Sequence, residues 1–163
     1  DKHCRQSRLC EAYGKCKARG GACVVGTDKH CRGSRLCEAE GMCKARAGAC
    51  VVATDEHCRQ SQLCKAHGNC TATAGACIVA TDNGCVESED CAAKALCSLM
   101  LGTCRTTAVG HCERSLLCKR DGRCALNSEN TCYVGSDGDC KRSTGCTAEG
   151  KCCKSDWREC KPC

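Results

Sequence analysis

Phenylalanine is absent, and Trp157, Tyr13 and Tyr133 are the only aromatic side chains. A chain of 163 residues normally buries one sizeable oily core. Here the large side chains for such a core are missing, and the 42% hydrophobic content is inflated by cysteine and alanine. No apolar run is long enough to cross a bilayer, and no signal peptide is recognisable. There is no Gly-rich phosphate loop, no Cys-x-x-Cys-His haem site, and no nucleophile with a matching His and Asp. No catalytic residue, cofactor-binding residue or metal ligand is therefore assigned, no cofactor is expected, and the chain reads as a non-enzyme. Nucleic acid is not expected as a partner, because a strongly basic face and aromatic stacking residues are both lacking.

What is present in excess is cysteine, at 26 residues, roughly twice the level that marks a disulfide scaffold. The cysteines recur with a period of 27. Repeat one (1–27) carries Cys4, Cys10, Cys16 and Cys23, and repeat two (28–54) carries Cys31, Cys37, Cys43 and Cys50. Repeat three (55–81) carries Cys58, Cys64, Cys70 and Cys77, and repeat four (82–108) carries Cys85, Cys91, Cys97 and Cys104. Repeat five (109–136) has Cys112, Cys118, Cys124 and Cys132. Repeat six (137–163) has Cys140, Cys146, Cys152, Cys153, Cys160 and Cys163. Fixed self-similarity of this kind marks a solenoid-like array of stacked units. Two disulfides in a repeat stabilise it by roughly 5 kcal/mol, an upper figure, so cross-links replace burial. Disulfides at this density require an oxidising compartment, which places the protein outside the cytosol, secreted or at the cell surface.

Within each repeat a serine falls three residues after the first cysteine: Ser7, Ser34, Ser61, Ser88, Ser115 and Ser143. Serine is a good helix N-cap. Gly14, Gly41, Gly68, Gly122 and Gly150 follow seven residues later, where glycine suits the left-handed end of a helix; repeat four has Ala95 there. Ser-x-x-Cys-x-x-x-Gly thus predicts a helix of one to two turns carrying the second cysteine, pinned by a disulfide because it is too short to persist alone. Ala45-Arg46-Ala47-Gly48 reads as a type I turn with glycine fourth, which makes a hairpin with a bulge. Gly21, Gly75 and Gly102 hold the same place, as does Asn130, the non-glycine residue best suited to positive φ. Val24-Val25, Val51-Val52 and Ile78-Val79 extend the second strand. The fold class is a small disulfide-rich repeat protein: six short helix-plus-hairpin units with little regular structure. Four cysteines admit three pairings, which sequence does not separate. We favour first-to-third with second-to-fourth.

Thr27-Asp28, Thr54-Asp55, Thr81-Asp82 and Ser136-Asp137 lead into the next repeat and are expected to shape the turn. His3, His30, His57 and His111 precede the first cysteine and form a ladder broken by Gly84 and Asp139; exposed turn histidines are the plainer account. Apart from Cys152-Cys153 and the terminal Cys160-x-x-Cys163, cysteine gaps within the repeats are too wide for a structural zinc site, and Asp137 and Asp139 offer too few oxygens for calcium. Asn69-Cys70-Thr71 matches the N-glycosylation pattern. The net charge of +6 is uneven, at +4, +2, 0, −2, +1 and +1 along the six repeats. A solvated surface of drifting composition accounts for it, although such a gradient also guides self-association.

The phrase D-x-H-C-R-x-S-x-L-C-x-x-x-G-x-C-x-A-x-x-G-A-C-V-V-A-T-D resembles cysteine-rich tandem repeats of secreted or surface proteins from myxobacteria-like bacteria. The likeness is close over repeats one to three, loose over four and five, and partial over six. It implies export and transfers no functional residue. Because Asp1-Lys2-His3-Cys4 matches Asp28-Lys29-His30-Cys31, the chain is expected to be a mature form whose secretion signal has been removed, or a fragment of a longer array. Repeat one looks like an interior repeat, whereas repeat six, with Cys152-Cys153, Trp157 and Cys163, looks like a cap. From this asymmetry we expect an extracellular structural protein, a stapled rod whose partner is itself, stacking head-to-tail into filaments, with the Cys163 end docking or closing. The competing readings are a monomeric adhesin presenting Tyr13, Glu40 and His67 to a cell-surface or matrix ligand, and a secreted inhibitor or toxin.

Overall fold

A computed structural model describes residues 2–163 of the chain. Asp1, which the sequence aligns with Asp28, lies outside the described residues. Each repeat is a pair of short helices followed by a two-stranded antiparallel hairpin. In repeat two these are Asp28–Arg32, Arg35–Glu40, and the strands Lys44–Arg46 and Ala49–Val51. Backbone contacts group the repeats into two bodies, one ending at Ala80 and one beginning at Thr81.

The Arg35–Glu40 helix and its counterparts follow the serine as the sequence predicts. The hydroxyls of Ser7, Ser34, Ser61, Ser88 and Ser143 accept from the backbone N–H of the cysteine three residues on. Each also donates to the carbonyl of the cysteine three residues back, as Ser34 does to Cys31 at 2.7 Å. Ser115 keeps only the second bond, to Cys112 at 2.7 Å. At the other end Gly14 lies at φ 69°, and its N–H donates to Cys10 at 2.9 Å while that of Lys15 donates to Leu9 at 3.2 Å. Ala95 takes the same left-handed conformation, at φ 66°.

Two features differ from expectation. The first cysteine sits in a helical turn of its own, such as Asp55–Arg59, and Thr54, Thr81 and Ser136 cap three of these turns by accepting from the backbone N–H three positions later. Thr27 makes no such bond. The hairpin turn is also tighter than a type I turn with a bulge. Arg46 pairs with Ala49, leaving only Ala47 and Gly48 between the strands, at φ 48° and 80°. Both central residues are left-handed, as the mirror-image turn suited to twisted strands demands. Repeat five, one residue longer here, turns instead through Asn127–Asn130, with Asn130 at φ 59°.

The disulfide pairing corrects the favoured one. All 26 cysteines are bonded. In repeats one to five the first pairs with the fourth and the second with the third, as in Cys4–Cys23 with Cys10–Cys16, and repeat six keeps the pattern around its extra Cys153, with Cys140–Cys160 and Cys146–Cys152. The left-handed glycine is the reason. It reverses the chain at the helix end and brings the third cysteine back to the second, with Cα atoms 4.5 Å apart in Cys10–Cys16. The first cysteine is left beneath the second strand, 5.5 Å from its partner in Cys31–Cys50. Repeat six adds Cys153–Cys163.

Burial is small and sulfur-rich. The first cysteines, from Cys31 to Cys140, are fully buried, and repeats one to five each add one β-branched residue just past the second strand: Val25, Val52, Val79, Thr106 and Val134. Thr106 satisfies its buried hydroxyl by donating to the Ala95 carbonyl at 2.9 Å. A carboxylate then clamps the hairpin to the first helix. Asp28 accepts from the Ala45 N–H at 2.9 Å, Asp55 from Ala72 at 2.8 Å, Asp82 from Leu99 at 2.6 Å, and Asp137 from Lys154 at 2.7 Å.

Candidate assembly interface

Inside each body the repeats meet through one recurring joint, built from the closing glycine of one repeat and the first-to-fourth disulfide of the next. The Cys50 sulfur lies 3.4 Å from the Tyr13 carbonyl oxygen, Cys77 lies 3.3 Å from that of Glu40, and Cys160 lies 3.3 Å from that of Asp121. A cystine sulfur carries no hydrogen, so these are close sulfur–oxygen packing contacts. The glycine permits the approach. A Cβ at Gly14 would stand 2.8 Å from the Cys50 sulfur, and one at Gly41 would stand 2.7 Å from the His57 carbonyl oxygen. One at Gly122 would stand 2.7 Å from the Cys160 sulfur. The capping glycine is thus fixed twice over, by its left-handed backbone and by its neighbour. Between repeats four and five Ala95 fills the place, fully buried against Cys112 and Cys132.

Charges decorate the joint without filling it. Glu11 pairs with Arg35 across the first joint, with 59% and 75% of their side chains exposed. At the joint of repeats five and six Arg120 grips Asp121 through two bonds of 2.8 and 2.9 Å and holds its carboxyl below the usual range. Glu149 beside Lys151 raises the ammonium. The cleft there, about 390 Å³, is lined by Arg120, Arg123 and Lys151 against Asp121, Glu149 and Glu159, so its formal charges cancel.

The halves of this joint recur on surfaces that none of these six repeats covers. Gly150 lies at φ 69° like its counterparts, yet it is exposed, with nothing within 4 Å of its Cβ position. Ser7 is half-buried, whereas Ser34, Ser61, Ser115 and Ser143 are at most 3% exposed.

The remaining sequence candidates fall as follows. Tyr13, Glu40 and His67 expose their side chains beside the capping glycine, and the first two lend only carbonyls to the joint, which explains why those positions vary. His3 is exposed. His30 and His57 are half-buried, each with a buried, unpartnered Nδ1, and the His111 Nδ1 accepts from the Thr107 N–H at 3.3 Å. Among the described residues no group of three or more His, Cys, Asp or Glu is gathered to hold a metal ion. Asp139 is spent on its capping box with Ser136 and on Arg142 at 2.8 Å. Sequence reasoning missed the reach of the aspartate clamp. Its signal was the 27-residue recurrence of Asp28, Asp55 and Asp82 after threonine, which local turn shaping alone does not require. No family model, no curated protein and no solved structure matches this chain. No helix among the described residues is long and apolar enough to cross a membrane, and the thirteen disulfides fit an oxidising, extracellular setting.

Proposed function

We propose that the protein is a non-enzymatic extracellular structural element that polymerises head-to-tail by extending its own joint between chains. The observation that carries this reading is the exposure of Gly150. It offers the glycine half of a joint whose counterparts at Gly14, Gly41 and Gly122 are buried by the following repeat. The disulfide half is the Ser7 and Cys4–Cys23 surface of repeat one, built on the same frame as the surfaces that dock inside the chain. A contact between two different patches of one molecule that does not close on itself produces filaments. Disulfides hold each half in shape before contact, so association costs little ordering.

The test is polymer formation at rising concentration, followed by light scattering and negative-stain microscopy. Gly150→Val, which fills the space a neighbour must enter, should abolish it. Thr147 occupies the position that Glu11 holds against Arg35. Thr147→Glu should therefore strengthen assembly by facing Arg8 of the next copy, and Thr147→Arg should weaken it, both effects fading with salt. Monodisperse monomers at every concentration, or polymers indifferent to all three substitutions, would reject the reading.

A further inference from the structure

The two most exposed large apolar side chains among the described residues sit at hairpin tips of the second body: Leu101, 98% exposed, and Trp157, 88%. Leu101 is also strained. It lies at φ 51°, in the turn position that repeats one to three give to Gly20, Ala47 and Ala74. A leucine there carries the steric cost of left-handed backbone and, fully in water, gains no packing in return. Single exposed apolar residues are ordinary, but a strained one at the lip of an apolar groove is not.

That groove lies between the hairpin of repeat four and the body of repeat five. It has a volume of about 500 Å³, and its apolar side is formed by Leu96, Met100, Leu101 and Leu117. Met100 is itself 47% exposed. The rim carries Lys94, Arg105 and Glu129. Lys94 is already paired with Asp90 at 2.8 Å, and Arg105 turns its Nε to Thr103 at 3.2 Å. Among the described residues, Arg105 and Glu129 are left as one cation and one anion without an ion-pair partner.

Trp157 matches this groove in size and setting. A cavity of this size accepts an indole, and tryptophan is one of the residues enriched among the buried anchors of interfaces. Its neighbours are Asp156 and Arg158, one anion and one cation, the complement of Arg105 and Glu129. The loop is held rigid for docking: Ser155 donates to Glu159 at 2.8 Å, Arg158 lies 4.9 Å from the centre of the Tyr133 ring, and Cys153–Cys163 closes the base.

We propose that Trp157 of one chain inserts into the Leu96, Met100, Leu101 and Leu117 groove of a second copy. The contact uses neither Gly150 nor Ser7. It therefore joins chains, or filaments of chains, sideways, and it stands independently of the head-to-tail joint. Burying the Leu101 lip against the indole recovers the packing that its strained position lacks in the single chain.

Trp157 is the only tryptophan, so its emission reads its own environment. The experiment uses the Gly150→Val chain, in which the head-to-tail joint is blocked, and raises protein concentration from micromolar to millimolar. Emission should shift to the blue and acrylamide quenching should fall over the range in which sedimentation detects association. Met100→Ser combined with Leu101→Gly should move that range upward by about tenfold or more, and Trp157→Ser should abolish the association. Disulfide mapping of each variant checks that the fold survives, and the substituted tips are exposed. An indole that stays in water at all concentrations overturns the proposal. So does a shift indifferent to the Met100 and Leu101 changes, or one seen only with phosphatidylglycerol vesicles, which would assign the tip to lipid. Failure of the Gly150→Val chain to lose filaments counts against the head-to-tail reading alone.

Discussion

The Cys77 sulfur sits where a side chain at Gly41 would begin, 2.9 Å from the Cβ position, and the Glu40 carbonyl meets the same sulfur at 3.3 Å. Gly41→Ala therefore collides with its neighbour in addition to straining its own backbone. We expect a loss of about 2–5 kcal/mol, the sum of left-handed strain and overpacking. Gly150→Ala meets open space and should cost only the strain, about 1–2 kcal/mol. The comparison is made by denaturant unfolding with the disulfides intact. Equal losses at the two sites would mean that the joint tolerates a methyl group everywhere, as it does at Ala95.

The period, the serine caps, the closing glycines and the hairpins were legible because each depends on backbone chemistry within seven or eight residues. The pairing was not. It depends on where Gly14 and its counterparts aim the chain after the helix, a matter of direction that spacing does not encode. The first helical turn was hidden for a related reason: four or five residues such as Asp28–Arg32 are too few to show a period. The joint itself was invisible, because a glycine that caps a helix and a glycine that admits a neighbour look identical in sequence. Gly150 and Gly41 differ only in what lies beside them.

The two kinds of disulfide should not contribute equally. Replacing Cys58 and Cys77 by alanine opens a loop of separation 19 and removes a buried sulfur pair from both a repeat and a joint. The chain-entropy term alone is about 3 kcal/mol, and lost packing adds to it. Replacing Cys64 and Cys70 opens a loop of separation 6, with an entropy term of about 2 kcal/mol. Unfolding midpoints of the two double variants should rank in that order. The reverse order would show that pinning the short helix matters more than the joint.

Glu11 and Arg35 bridge two repeats, yet both are mostly in water. Exposed ion pairs contribute between about 0 and 1 kcal/mol, and salt removes most of that. Glu11→Gln should shift stability by less than about 0.5 kcal/mol at physiological salt. A double-mutant cycle with Arg35→Gln measures the coupling directly. A coupling above about 2 kcal/mol would mean that charge, rather than the glycine and sulfur contact, holds the joint.

Asp28 is the clamp that a lysine ammonium also hydrogen-bonds. The Lys44 ammonium, 2.7 Å from its Oδ2, and the Ala45 N–H together hold the carboxyl below its ordinary value of 3.8. A carboxyl whose folded value is lowered adds stability that is complete above its unfolded value and is lost as pH falls through the lowered one. Acid should thus release this hairpin only below the ordinary carboxylate range, while the disulfides remain closed. NMR titration of Asp28 should give a midpoint under 3.8. Lys44→Met should move it upward without restoring it fully, because the Ala45 N–H still favours the ionised form. The stability difference between Lys44→Met and the parent chain should be present at neutral pH and vanish once Asp28 is protonated in both. A midpoint unmoved by Lys44→Met would assign the lowered value to the backbone bond alone and remove Lys44 from the clamp.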